Sequence, residues 1–162
     1  MEKFLYIALF PPLIAALFSS LFAFSKPLKF IGYFNSTLIF ISMISSFYLF
    51  SYIYENDFAV EIFLFDWINI GNLNLSFSFI LDHISVMMLL VVTIVSTMVH
   101  FYSIWYMEED LGFNRFFTYL SLFVFSMLVL ILADNFAVLF IGWEGVGVCS
   151  YLLIGFFYKK LN

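Results

Sequence analysis

From Phe136 to Phe157 the sequence carries one charged residue, Glu144, among aromatic, aliphatic and small side chains. A helix needs about 18 or more consecutive apolar residues to cross the hydrocarbon core of a bilayer. Four earlier stretches, about 4–24, 30–54, 80–107 and 114–132, also reach that length. In lipid the backbone must satisfy its own hydrogen bonds, so such runs form helices, whereas barrel strands would be near ten residues long and alternating. These lengths predict an all-α polytopic membrane protein, one membrane domain over residues 1–162 with five transmembrane helices, the last at about 136–157. Composition agrees: 10% of the residues are charged and 65% hydrophobic, against about 25% charged in a soluble domain. A formal net charge of -5 without clustered Lys or Arg does not suggest nucleic acid as a partner, and none is expected. The lone Cys149 makes neither an intrachain disulfide nor a metal cluster. No phosphate-cradling glycine loop occurs, so no cofactor is expected.

The links between runs differ in character. Pro11-Pro12 predicts a kink or an opened hydrogen-bond ladder in the first helix, and that run continues to Ser25, too far for a cleaved leader. Ser42, Ser45 and Ser46 lie on adjacent ridges of the second helix and predict a packing face. Residues 55–79 contain Glu55, Asp57, Glu61 and Asp66, and Asn72 to Phe79 alternates polar and apolar with period 2. This segment predicts an amphipathic β-hairpin on the membrane surface, with Glu61 to Trp67 as a less regular first strand and a turn over Asn69 to Asn72 containing Gly71. With five spans, Lys26, Lys29, Arg115, Lys159 and Lys160 share one side, and the hairpin and Asp134 the other. The positive-inside rule then puts the hairpin outside.

Glu144 lies near the midplane of the fifth run, where a charged carboxylate costs about 2.5–3.5 kcal/mol on insertion scales. It must face protein or water, and desolvation favours its neutral form unless a cation from elsewhere pairs with it. Such a carboxylate suits a proton relay; a plain helix–helix hydrogen bond is the competing explanation. Gly142, Gly145 and Cys149 share one ridge and predict close approach of a neighbouring helix. His100, in a polar stripe with Thr93, Ser96, Thr97 and Ser103, is a second relay candidate, with a helix–helix hydrogen bond as an equal alternative. Asp82 and Asp134 read first as helix caps or hairpin anchors, and His83 as an interfacial residue.

The segment Trp143-Glu144-Gly145-Val146-Gly147-Val148-Cys149-Ser150-Tyr151-Leu152-Leu153-Ile154-Gly155-Phe156 resembles the fifth-helix signature of the largest antiporter-like subunit family of respiratory complex I. This is the NADH-quinone oxidoreductase chain called subunit L in bacteria and subunit 5 in mitochondria. Phe79 to Ser85, His100 to Met107, Arg115 to Tyr119 and Leu132 to Asn135 extend the likeness. His83 stands where a small residue is expected. The resemblance implies a multi-pass protein of the bacterial inner membrane, or of the mitochondrial inner membrane for an organellar member. It further implies a proton-translocating membrane-arm subunit with other membrane-arm subunits as partners. The family glutamate maps onto Glu144, paired there with a lysine on a later helix. No lysine falls inside the runs of this sequence, so the chain reads as an N-terminal fragment, incomplete alone. Two other readings stand beside it: a structural or assembly membrane protein that moves no ions, and a component of a multisubunit cation/proton antiporter.

Overall fold

The computed structural model describes residues 2–70 and 73–156. Five helices and one hairpin follow in chain order: α1 (Glu2–Leu21), α2 (Lys29–Asn56), β1 (Val60–Ile70), β2 (Leu73–Leu81), α3 (His83–Tyr106), α4 (Phe113–Leu132) and α5 (Phe136–Ile154). All five helices are long and apolar enough to cross a membrane, and the hairpin falls between the second and third, as the sequence predicts. Gly71 and Asn72, in the expected turn, and Lys159 and Lys160 lie outside the described residues.

Each element starts and stops for a local reason. Asp82 begins α3 with a reciprocal cap: its carboxylate accepts from the Ser85 N–H at 2.7 Å, and the Ser85 Oγ accepts from the Asp82 N–H at 2.8 Å. The hydrogen bond from the Ser85 N–H holds the Asp82 carboxyl below the ordinary carboxylate range. Asn135, rather than Asp134, caps α5, accepting from the N–H groups of Ala137 and Val138, both at 3.1 Å. α1 continues through Pro11 and Pro12. Pro12 lacks the N–H that the Ala8 carbonyl would normally receive, and the Ser42 hydroxyl of α2 donates to that carbonyl instead. Ser42, Ser45 and Ser46 are all buried, so the serine face is a packing face.

The hairpin pairs antiparallel, with irregularities in register between Phe63 and Phe65 and between Asp66 and Ile68. Those two slips in β1 explain why its polar–apolar alternation is imperfect while that of β2 is clean. The hairpin is anchored to the α4–α5 link: Ser78 Oγ donates to the Asp134 carboxylate at 2.7 Å, and Asn135 Nδ2 donates to the Ser76 carbonyl at 2.7 Å. His83 Nε2 lies 3.2 Å from Asp57 Oδ1 and packs edge-on to Tyr54, joining α2 to α3 on the same side.

Ile62, Phe79 and Leu81 of the hairpin join Leu5, Leu9, Leu49, Ile53, Val86, Leu89, Leu128 and Leu132 in one core beneath this surface. A second core at the opposite end gathers Ile31, Ile104, Met107, Phe113 and Phe117. There Asn114, almost fully buried, clasps the α1–α2 link, donating to the Phe22 and Lys26 carbonyls at 2.9 and 3.0 Å and accepting from the Leu28 N–H at 3.1 Å. Lys29 pairs with Glu108 on the same side. Residues 22–28 and 107–113 thus share one surface and the hairpin the other. The opposition of basic links to hairpin that the sequence predicts is built into the packing.

Candidate functional site

α1 packs on α2 and α4, α2 on α3, and α5 chiefly on α4. The seam between α4 and α5 is tight because the facing residues are small. A methyl group added at Gly142 would meet the Leu130 backbone at 2.7 Å, and one at Gly145 would meet the Ser126 Oγ at 2.6 Å. Cys149 is buried on the same ridge, its thiol at the Ser126 hydroxyl. The predicted glycine ridge is therefore a helix-packing seam.

Glu144 lies about 200° around the helix from Gly142, at 100° per residue, which places it opposite that seam. It is exposed, as are its neighbours on the open face, Phe140, Gly147, Val148 and Tyr151. A methyl group at Gly147 would meet nothing within 4 Å. Along the axis Glu144 is about 12 Å from Phe136 and about 15 Å from Ile154, at 1.5 Å per residue, so it is near mid-span. The sequence predicts that Glu144 faces protein or water; here it faces outward from α5 and, among the described residues, makes no hydrogen bond or ion pair. The physical reason is that α4 alone cannot cover both sides of α5, and the glycines commit α4 to the side away from Glu144. Tyr151 shares the open face without bonding to Glu144.

His100 sits elsewhere, fully buried in the core of the first four helices. Its Nδ1 is 2.8 Å from the Ser96 carbonyl, which can only accept, so Nδ1 carries a proton. Its Nε2 is 3.3 Å from Ser121 Oγ on α4. Ser121 Oγ also accepts from Asn35 Nδ2 of α2 at 3.2 Å, and Asn35 Oδ1 accepts from Ser19 Oγ of α1 at 2.9 Å. One buried chain, Ser19–Asn35–Ser121–His100, therefore ties four helices together. Thr93, Thr97 and Ser103 of the predicted stripe are buried alongside, with both threonine hydroxyls turned back on carbonyls of their own helix. The structure does not bring His100 and Glu144 together: Ser121 faces the bundle core, Ser126 faces the α5 seam, and α4 stands between. Asn35 and Asn114 escaped the sequence argument. The signal that could have found Asn35 is its carboxamide inside the first two turns of an apolar run, where an unpaired amide is costly.

A bundle of five spanning helices with a hairpin between the second and third, its fifth helix held by one neighbour, has the architecture of an antiporter-like subunit of a membrane complex. A chain in the structure of the membrane-bound sulfane sulfur reductase, an archaeal respiratory membrane complex, superimposes with a TM-score of 0.76 over 91% of this chain and 29% of that one, at 15% identity, which establishes the fold. Residues 67–117 match the family model for the N-terminus of chain 5 of NADH-ubiquinone oxidoreductase (complex I). NADH-quinone oxidoreductase subunit L of Campylobacter jejuni is 50% identical over 160 residues, covering 99% of this chain and 26% of that protein. NADH-ubiquinone oxidoreductase chain 5 of Phytophthora infestans is 40% identical over 95% of this chain and 23% of its own length. Subunit L of Escherichia coli is 52% identical over 59% of this chain and 16% of its own. The chain belongs to the NADH-quinone oxidoreductase subunit L/chain 5 family and is a multi-pass membrane protein. It spans about a quarter of the length of the curated relatives it matches along its whole length.

Proposed function

We propose that this chain is part of a proton-translocating membrane-arm subunit of an NADH-quinone oxidoreductase and that Glu144 is its relay carboxylate. The observation carrying this reading is the position of Glu144: near mid-span, on the face of α5 that α4 leaves open, in a family in which this glutamate pairs with a lysine of a later helix. The six basic residues here, Lys3, Lys26, Lys29, Arg115, Lys159 and Lys160, lie at or beyond the ends of the apolar runs. A counter-charge for Glu144 therefore comes from residues outside this chain. A carboxylate whose cationic partner approaches and withdraws alternates between holding and releasing a proton. NADH and quinone chemistry belongs to other subunits.

The test is Glu144→Gln in the complete subunit, assembled in its complex in proteoliposomes, with quinone-coupled proton pumping as the readout. Pumping lost while the complex assembles and reduces quinone is the expected result. Unchanged pumping refutes the assignment. Sodium-dependent proton exchange without quinone would instead place the chain in a cation/proton antiporter.

A further inference from the structure

On the surface that carries Lys26, Lys29 and Arg115, α2 and α3 leave between them a groove of about 290 Å³, lined by Tyr33, Phe101, Tyr102, Ile104 and Trp105. Ile104 is buried, while Tyr33, Tyr102 and Trp105 are exposed. The groove lies one helical turn in from the surface: Tyr33 follows Lys29 by one turn of α2, and Trp105 precedes Glu108 by one turn at the end of α3. Lys29 and Glu108 pair across the same seam, Lys29 mostly exposed and Glu108 a little under half exposed. An ammonium and a carboxylate thus stand side by side directly over an aromatic slot at the depth where lipid headgroups meet acyl chains. Tyr and Trp are suited to that depth because their rings are apolar and their polar atoms reach water.

We propose that this groove seats a phospholipid with an ethanolamine headgroup. One acyl chain lies in the slot against Phe101, Tyr102 and Trp105. The phosphate accepts hydrogen bonds from Lys29 and the Tyr33 hydroxyl, and the primary ammonium donates to Glu108. Charge complementarity selects this headgroup. An anionic phosphoglycerol satisfies Lys29 but places its negative charge beside Glu108, with Glu109 and Asp110 next in sequence. A choline carries the compensating charge but has no N–H to donate to the carboxylate. The aromatic slot alone would accept any acyl chain, so the headgroup preference rests on the ion pair.

The experiment reconstitutes the protein in vesicles with a phosphatidylethanolamine bearing a photoreactive acyl chain and maps cross-links by peptide mass spectrometry. Labelling of Tyr33 and residues 101–105 should exceed, several-fold, that of the exposed faces around Leu17 on α1 and Val148 on α5. Unlabelled phosphatidylethanolamine should compete several-fold better than phosphatidylcholine or phosphatidylglycerol. Glu108→Gln, an exposed substitution, should abolish the advantage of ethanolamine over choline, and Lys29→Gln should weaken labelling by every phospholipid. Equal labelling of the three faces, or equal competition by the three headgroups against the unsubstituted protein, overturns the proposal.

Discussion

Replacing Gly142 and Gly147 separately by alanine distinguishes the closed side of α5 from the open one. The new methyl group at position 142 lies 2.7 Å from both the N and the Cα of Leu130. Ordinary contact begins at 3.4 Å, so the fit is about 0.7 Å too tight against backbone that cannot rotate away. α5 must lift from α4 or slide along it, and overpacking of this kind costs about 1–3 kcal/mol. At position 147 the methyl group enters open space, and exchanging glycine for alanine in a helix gains up to about 1 kcal/mol. The two chemically identical substitutions should therefore differ in sign. Titration of the reconstituted chain with dodecyl sulfate, followed by loss of helical circular dichroism, measures each unfolding midpoint. Gly142→Ala should unfold at lower detergent fraction than the parent, and Gly147→Ala at an equal or higher one. A Gly142→Ala chain as stable as Gly147→Ala would refute the seam, and with it the assignment of Glu144 to the open face.

Asp82→Ala should cost about 0.5–2 kcal/mol through loss of the α3 cap, measured by the same titration. Because the folded carboxyl titrates below its ordinary value, the cap is fully effective above the unfolded pKa near about 4 and is lost as pH falls through the folded pKa. The difference between parent and Asp82→Ala should shrink on acidification below that range and stay flat from there to neutrality. Asn114→Leu leaves the Leu28 N–H without its side-chain partner and takes one hydrogen bond from each of the Phe22 and Lys26 carbonyls, which Ser25 still serves; losing this clasp should cost about 1–3 kcal/mol. Limited proteolysis should then cut within residues 22–28 faster than in the parent. Asp57→Asn removes a pair whose carboxylate is almost fully exposed; the unfolding midpoint should move by no more than about 1 kcal/mol-equivalent.

The helices and the hairpin were legible because both depend on short-range rules: run length against bilayer thickness, and period 2 against 3.6. Caps were legible for the same reason, although the choice of Asn135 over Asp134 depends on the hairpin, whose Ser78 draws the aspartate away. The glycine ridge of α5 was legible as a ridge. Which side of α5 it leaves uncovered was not, because lipid and protein are equally apolar and a sequence pattern cannot tell one from the other. Glu144 accordingly falls near the middle of α5, but the face it occupies, the one α4 leaves uncovered, could not be read from the pattern. β1 blurred because each register slip moves the following side chains to the other face. Asn35 was missed because its function is visible only with Ser19 and Ser121, residues distant in sequence that three different helices bring to one point.

That point bears on how the two candidate relay residues divide. The chain from Ser19 to His100 is continuous in hydrogen bonds, but continuity of hydrogen bonds is not continuity of proton transfer. A hydroxyl or an imidazole can accept a proton on one side and release another. The Asn35 amide cannot, since its N–H donors and its carbonyl acceptor do not exchange roles. With Nδ1 donating to the Ser96 carbonyl and Nε2 facing Ser121, His100 has both ring nitrogens engaged, one of them against a group that never takes up a proton. The four-helix core is thus tied by groups that fix geometry, whereas the titratable carboxylate stands across α4 on a face that makes no hydrogen bond or ion pair among the described residues. An element that must change its partner during a cycle has to be free on the side where the partner arrives and held firmly on the other. α5 meets both conditions, with Ser126 and Leu130 gripping its glycine ridge and Glu144 facing outward.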